Sequence, residues 1–221
     1  MRRVLLVVFG ISISCSVILA GSQRMMDNAT VAGDNSDWWS LTRDLNGPNI
    51  EPQKHVPAAS NFSILGIRLG ENDNSADIAA KLGKAPIVGR GDAATARAQV
   101  CYASAGGSPL VHLVFEQGEV DYAFYLFSGG PDWQRSDLCT KSPMISLNVK
   151  SGSGLALGET QSQVEAILGK PTTTWKNRLI YFGVVHVKPK NSESYDLTSY
   201  IEARLSNNRL TYLGVMKTET E

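Results

Sequence analysis

Histidine and cysteine are the residue types of this chain that could carry out metal or nucleophilic chemistry, and both are scarce. They are His55, His112, His186, Cys15, Cys101 and Cys139. No two of them follow the H-x-x-x-H or C-x-x-C spacing, so the sequence predicts no metal site and no cofactor. Cys139 and His112 could be paired as nucleophile and base, which is the chemistry that a small exported hydrolase or thiol enzyme would use. We weigh that enzyme as an alternative to a protein without catalytic activity.

The first 22 residues have the composition of an export signal. Arg2 and Arg3 precede an uncharged apolar run over residues 4–20, which ends in small residues. This order predicts a signal peptide over residues 1–22 and a periplasmic or secreted protein. Two alternatives stay open. Residues 4–20 could remain as a membrane anchor, or Cys15 in "SISC" could carry a lipid.

Removal of such a leader leaves two cysteines, Cys101 and Cys139, in the exported chain. Thiols in an oxidising compartment usually pair, so we expect a disulfide between them. The alternative is two thiols that never meet.

Residues 23–60 are rich in Asn, Asp, Gly, Pro and Ser and show no sustained hydrophobic period, which predicts a flexible tether. The whole chain balances 21 basic against 21 acidic side chains. A general nucleic-acid binder would have a basic excess, so we expect no nucleic-acid partner. Contact with a membrane is expected only through residues 4–20.

A helix with both ends marked is predicted in "LALGETQSQVEAILGKP", which begins at Leu155. Thr160 and Gln163 form a capping-box pair, and Gly169 is the left-handed stop. The apolar stripe between them consists of Val164, Ile167 and Leu168. The stretch "IRLGENDNSADIAAKLGKAP" from Ile67 repeats the pattern, with Asn74 or Ser75 as cap, Ile78 and Leu82 as stripe, and Gly83 as stop.

Alternating apolar strands follow each helix and end in a hairpin whose turn carries Gly118 in one copy and Asn208 in the other. Both residue types tolerate a positive φ. We therefore predict an α+β fold of two tandem units, each a short helical segment packed on a three- to four-stranded antiparallel sheet. The first unit would span residues 61–128 and the second 149–221, with a connector over 129–148 that carries Cys139. A unit of this size is marginal alone, so the two would share burial.

The second copy, followed by Trp175 and "IYFG", resembles the SmpA/OmlA (BamE-like) repeat, which reads "G-x-x-x-x-x-V-x-x-x-L-G-x-P" before an aromatic strand. The first copy matches through Gly70, Ile78, Leu82, Gly83 and Pro86. The resemblance covers residues 63–127 and 151–218. It implies a small protein of the bacterial envelope, and two such repeats in tandem resemble the architecture of beta-lactamase inhibitory protein.

Aromatic side chains in the predicted strands are the candidate partner-binding residues, namely Trp175, Tyr181, Tyr125 and Tyr212. If one sheet face stays open, such residues would anchor a protein partner. The alternative is that the two units pack together and bury them. The leading hypothesis is a non-catalytic, protein-binding module of the envelope or extracellular space. An inhibitor of an extracellular enzyme and a purely structural envelope component are the other non-catalytic readings.

Overall fold

The structure, a computed structural model, describes residues 50–54, 57–71, 75–90, 96–129, 138–189 and 193–220. The predicted signal peptide, Cys15, His55, the Asn74 cap and most of the predicted tether lie outside these residues. No helix among the described residues is long and apolar enough to cross a membrane.

Two short helices form where the capping signals predict them. Helix α1 spans Ser75–Leu82 and helix α2 spans Gln161–Leu168. At α2 the Thr160 hydroxyl accepts a hydrogen bond from the Gln163 amide at 3.4 Å, and Gln163 Oε1 accepts one from the Thr160 amide at 2.8 Å. The helix ends at Gly169, whose φ of 84° disfavours any residue with a Cβ. The predicted capping box and stop are therefore confirmed.

A 3-10 helix over Ala59–Phe62 precedes the strands. It is followed by a small hairpin of β1 (Ser63–Ile64) and β2 (Ile67–Arg68). The remaining strands are β3 (Ile87–Arg90), β4 (Arg97–Ser104), β5 (Val111–Gln117), β6 (Asp121–Ser128), β7 (Thr140–Ser142), β8 (Thr173–Trp175), β9 (Arg178–Val187), β10 (Tyr195–Ser206) and β11 (Arg209–Thr220). Among the described residues, β3 to β11 form one nine-stranded sheet in the order β3-β4-β5-β6-β11-β10-β9-β8, with β7 also paired to β4.

The predicted fold class, two tandem helix-on-sheet units, is therefore wrong. The last strands of the two meanders, β6 and β11, pair antiparallel from Asp121 opposite Thr218 to Phe127 opposite Tyr212. Each of these strands would otherwise be an edge with unpaired backbone groups, and pairing them satisfies both rows. The result is a single β-rich sheet whose larger core runs across both halves, and the helices add only two turns each.

That core lies on the sheet face that carries both helices, which we call the covered face. Ile78 and Leu82 of α1 and Val164 of α2 are buried in the same cluster, while Ile167 and Leu168 are half-buried against it. The predicted apolar stripe of α2 thus points inward. Because the cluster contains residues of both halves of the sheet, the two halves stabilise each other through shared burial.

Two tyrosines fasten the helix ends to the sheet. Tyr102 on β4 donates to the carbonyl of Gly83 at 2.7 Å, and Tyr181 on β9 donates to the carbonyl of Gly169 at 3.2 Å. Each carbonyl belongs to the glycine directly after its helix, at the end where backbone acceptors lack an intrahelical partner. Burial raises the pKa of Tyr102 to about 12 and raises that of Tyr181 further, so both hydroxyls stay protonated as donors.

The connector is held by the predicted disulfide. Cys101 on β4 is bonded to Cys139, directly before β7, and the Cα atoms of the pair lie 4.5 Å apart. Strand β7 then runs parallel to β4, from Thr140 opposite Tyr102 to Ser142 opposite Ser104. The expectation of a Cys101–Cys139 bridge is confirmed.

Candidate functional site on the far face of the sheet

The face opposite the helices, which we call the far face, carries one row of side chains in register across seven strands. Successive Cα pairings connect Trp175, Arg178, Arg204, Tyr212, Phe127, His112 and Ala103. Residues that pair directly across neighbouring strands share a face. We call this set the far-face row.

Two arginines lie between two aromatic rings in one part of this row, and each guanidinium packs on one of the rings. The guanidinium of Arg178 lies 5.1 Å from the centre of the Trp175 ring, and the ammonium of Lys176 lies 4.4 Å from it. The guanidinium of Arg204 lies 4.2 Å from the Tyr212 ring. These distances are those of cation–π contacts.

The other part of the row is aromatic. The Tyr212 and Phe127 ring centres are 6.3 Å apart, and the rings of Phe127 and His112 stack at 5.0 Å with 17° between their planes. Burial lowers the pKa of His112, so its imidazole is held neutral in this stack.

A β-bulge places Tyr212 on this face. The pairing of β10 with β11 shifts register between Arg204 and Leu205, which leaves Thr211 without an opposite residue. Leu210 and Leu213 both point into the covered-face core, although simple alternation would not put residues three apart on one side. The bulge reverses the alternation, and Tyr212 moves to the far face.

Gly214 makes room for the Tyr212 ring. A Cβ on Gly214 would lie 2.7 Å from the Tyr212 hydroxyl and 3.0 Å from its ring. The ring therefore leans along β11 over the bare backbone of this glycine, with Arg204 stacked on it. The packing fixes where the Arg204 guanidinium sits.

A buried carboxylate holds the two arginines of the row. Glu202 Oε1 accepts a hydrogen bond from Nε of Arg178 and from Nε of Arg204, each at 2.5 Å. Its other oxygen accepts from the Tyr200 hydroxyl at 3.2 Å. The side chains of Glu202 and Arg178 are only 4% and 7% exposed, whereas that of Arg204 is 32% exposed. Arg204 is thus the accessible cation of this cluster.

Exposure changes from one end of the far face to the other. On β4 to β6 the face is closed: Val114, Tyr125 and Phe127 are buried, and Leu138 and Cys139 pack on them. On β8 to β10 the face is half-open, and its partly exposed side chains include Trp175, Phe182, Val184, Tyr200 and Arg204. Within the part of the chain that the structure describes, this second region is the more accessible part of the far face.

The closed part contains a polar network. Glu116 accepts from Gln99 and lies 3.7 Å from Arg97, which also pairs with Asp121. The hydroxyl of Tyr125 is buried nearby and has no hydrogen-bond partner among the described residues. Burial, followed by the Glu116 charge, raises the pKa of Tyr125 well above its ordinary value. Gln99 and Glu116 are buried in this network, whereas the Arg97 side chain is 34% exposed at its edge.

The four predicted partner-binding residues are not brought together on one accessible surface. Trp175, Tyr125 and Tyr212 lie on the far face, but Tyr125 and Tyr212 are buried there. Tyr181 lies on the covered face, where it is 5% exposed and holds the end of α2. Their role in binding a partner stays a prediction.

The accessible residues that the sequence analysis missed are Phe182, Tyr200 and Arg204. Phe182 and Tyr200 are Cα partners across β9 and β10, and their rings meet edge to face at 6.3 Å. The signal for Phe182 was present in "LIYFG", because a strand that buries Tyr181 must turn Phe182 to the other face. Nothing in the sequence pairs Tyr200 with Phe182.

The residues with possible chemistry are dispersed. His186 lies on the exposed end of β9, with Nδ1 2.9 Å from an oxygen of Asp196. Cys139 is bonded to Cys101. The pair of Cys139 as nucleophile and His112 as base therefore has no free thiol while the disulfide is intact. The described residues contain no group of three or more His, Cys, Asp or Glu side chains arranged to hold a metal ion.

No protein-family model matches the chain, and neither a curated protein nor a solved structure is significantly similar to it.

Proposed function

We propose that this chain is a non-catalytic, protein-binding module that docks a partner on the half-open region of its far face. The observation that carries the proposal is the grouping of Trp175, Phe182, Tyr200 and Arg204 on neighbouring strands with partial exposure. Tryptophan, tyrosine and arginine dominate the binding energy of protein interfaces, because each combines a large contact area with a directional polar group.

The charge of this region favours an acidic partner. Arg178 and Arg204 share the single carboxylate of Glu202, and Lys176 lies over the neighbouring Trp175 ring, which gives these groups an excess of positive charge. Arg204 stacks on Tyr212 and bonds to Glu202, so it is already held in place before a partner arrives. A pre-positioned guanidinium loses little conformational entropy on pairing with a carboxylate.

We infer that the module works outside the reducing cytosol, in the periplasm or after secretion. The Cys101–Cys139 disulfide supports this location, because such bonds persist in oxidising compartments. The leader-like composition of residues 1–22 supports export. The BamE-like resemblance also stays a proposal, and it is supported by the positive φ of its motif glycines Gly83 and Gly169 at the two helix ends.

The test is affinity capture from the native envelope, followed by measurement of the dissociation constant for each captured protein in purified form. Trp175→Ala and Arg204→Gln should each weaken binding about tenfold or more. Two matched controls lie away from this region: Tyr195→Ala, at the far end of β10, and Lys84→Gln, directly after α1. The controls should bind as the wild type does.

The proposal is wrong if the Trp175 and Arg204 variants stay folded and still bind every captured protein with wild-type affinity. If the captured partner has no acidic groups at the contact, the prediction of an acidic partner is wrong, but the proposed docking region is not affected. Photo-cross-linking from position 200 would identify the partner segment directly.

A further inference from the structure

We propose that the sheet end formed by residues 105–110 and 143–148 docks on an anionic lipid surface, independently of the far-face site. Four large apolar side chains are exposed among the described residues, and three of them, Leu110, Met144 and Leu147, belong to these two loops. They are 43%, 53% and 44% exposed, respectively.

The strand register brings the two loops to the same end of the sheet. Ser104 at the end of β4 pairs with Ser142 at the end of β7, and the strands are parallel, so both chains leave in the same direction. The Ser104 hydroxyl also accepts from the amide of Val111, the residue after Leu110. Neighbouring strands lie about 4.8 Å apart, so the Leu110 backbone is roughly 10 Å from the start of the 143–148 loop.

The 143–148 loop is held in place by core packing, so its exposed apolar side chains have fixed positions. Ile145 and Val149 point inward and are buried in the core, whereas Met144 and Leu147 point outward. Backbone bonds from Ile145 to Ser142 and from Val149 to Ser146, at 3.2 and 3.1 Å, close two successive turns. Because the loop is rigid, Met144 and Leu147 stay exposed to solvent and do not fold back onto the protein.

The disulfide adds to this rigidity. It ties Cys139, just before β7, to the centre of β4. The outward position of Met144 and Leu147 is therefore set by a covalent anchor on one side and by core packing on the other.

The surrounding charge is positive. Lys141 precedes the loop and Lys150 follows it, and both are exposed. The chain contains no aspartate or glutamate from Cys139 to Gly158, and residues 98–115 carry no charged group besides the titratable His112. Exposed apolar side chains flanked by lysines match the interface of an anionic bilayer, where the apolar groups enter the acyl boundary and the ammonium groups meet the headgroups.

The experiment uses the oxidised full-length chain and vesicles of phosphatidylcholine, with or without about one-third phosphatidylglycerol. Amide hydrogen exchange is followed in residues 105–110 and 143–149. We expect the anionic vesicles to slow exchange in both loops and to leave the 118–120 turn, at the opposite end of β5 and β6, unchanged. This local readout separates the loops from any contribution of residues 4–20.

Variants assign the effect to side chains. Met144→Ser combined with Leu147→Ser should lower vesicle partitioning about tenfold. Lys141→Gln and Lys150→Gln should each lower it about fivefold on anionic vesicles and leave it unchanged on neutral ones. The matched controls are Val120→Ser, an exposed apolar residue at the other end, and Lys84→Gln, and both should partition as the wild type does. Every substituted residue is exposed, so melting temperatures should stay close to that of the wild type.

Three results would overturn this proposal. Exchange in the two loops could be the same with and without vesicles, or the double serine variant could bind as tightly as the wild type. Sedimentation could instead show a dimer that the double serine variant converts to a monomer, which would make these loops a contact between two copies. None of these results bears on the far-face site, whose variants are different residues.

Discussion

Replacing Glu202 by glutamine is the sharpest test of how the far face is built. The carboxylate of Glu202 lies 2.5 Å from the Nε atoms of both Arg178 and Arg204, which are themselves direct Cα partners on neighbouring strands. Glutamine keeps the size of the side chain and one acceptor oxygen, but it removes the negative charge that bonds to both guanidinium groups. The variant therefore isolates electrostatics from packing.

The expected cost follows from the burial of each partner. The Arg178 side chain is 7% exposed, so breaking its buried ion pair with Glu202 costs about 3 to 5 kcal/mol. The Arg204 side chain is 32% exposed, so solvent screens its charge. The loss of its ion pair with Glu202 therefore costs about 1 kcal/mol or less. We expect Glu202→Gln to lower the free energy of unfolding by about 3 to 6 kcal/mol, or the melting temperature by about 10 °C or more.

The assay is urea unfolding at neutral pH with the disulfide intact, extrapolated linearly to water. The matched control is Glu71→Gln. The Glu71 carboxylate also pairs with an arginine, Arg68, at 3.2 Å, but both side chains are more than 60% exposed. Its loss should change the unfolding free energy by less than about 0.5 kcal/mol.

A double variant shows whether the buried charge of Arg178 is the cause of the lost stability. Adding Arg178→Met to Glu202→Gln removes the buried cation, so part of the lost stability should return and the two changes should be non-additive by more than about 1 kcal/mol. The reasoning is refuted if Glu202→Gln costs no more than Glu71→Gln, or if the Glu202 and Arg178 changes simply add.

Three further predictions concern single aromatic contacts. Tyr181→Phe removes the hydrogen bond to the end of α2 and should lower the unfolding free energy by about 1 kcal/mol in the same urea assay, and an unchanged value would show that this bond adds nothing. Gly214→Ala should cost about 1 to 3 kcal/mol and alter the near-ultraviolet circular dichroism, since the Tyr212 ring must leave its place; an unaltered spectrum would contradict the packing. Burial and the neighbouring carboxylate raise the pKa of Tyr200 to about 12, so the fold favours the neutral phenol. Its contribution is complete below about pH 10 and is lost as the pH rises through about 12. The fall in unfolding free energy between about pH 9 and 11 should therefore be smaller in Tyr200→Phe than in the control Tyr195→Phe, and equal falls would refute the assignment.

Local features of this fold could be predicted from the sequence, because they depend on residues a few positions apart. The capping box of Thr160 and Gln163, the stop at Gly169 and the positive φ of Asn208 all follow from short-range sterics and hydrogen bonds. Gly118 is an exception. It does not adopt a positive φ, and instead its missing side chain admits the guanidinium of Arg97, 3.0 Å from where a Cβ would lie.

Strand pairing could not be predicted in the same way. Alternation of apolar residues indicates a strand and its two faces, but it does not indicate which two strands pair along their edges. The pairing of β6 with β11 joins residues about ninety positions apart and decides between two small sheets and one large sheet. Both arrangements bury the same alternating side chains, so the hydrophobic pattern is equally compatible with each.

The candidate site was partly predictable for a related reason. Trp175 was identified as an accessible aromatic residue, but Tyr181 was assigned to binding although it faces the core. The bulge at Thr211 puts Tyr212 on the far face, although Leu210, two residues earlier on the same strand, points into the covered-face core. A bulge adds one residue to one strand, and the sequence of that strand alone does not reveal it.

The central position of β11 has a consequence for biosynthesis. Among the described strands it is the last to be synthesised, yet it lies between β6 and β10. Until residues 209–220 have been made, β6 and β10 each have one unpaired edge. The strands before β6 and those before β10 therefore cannot yet join into one sheet. The protein should therefore mature in a single late step, and a holdase that shields extended chains would be most valuable to it in that interval.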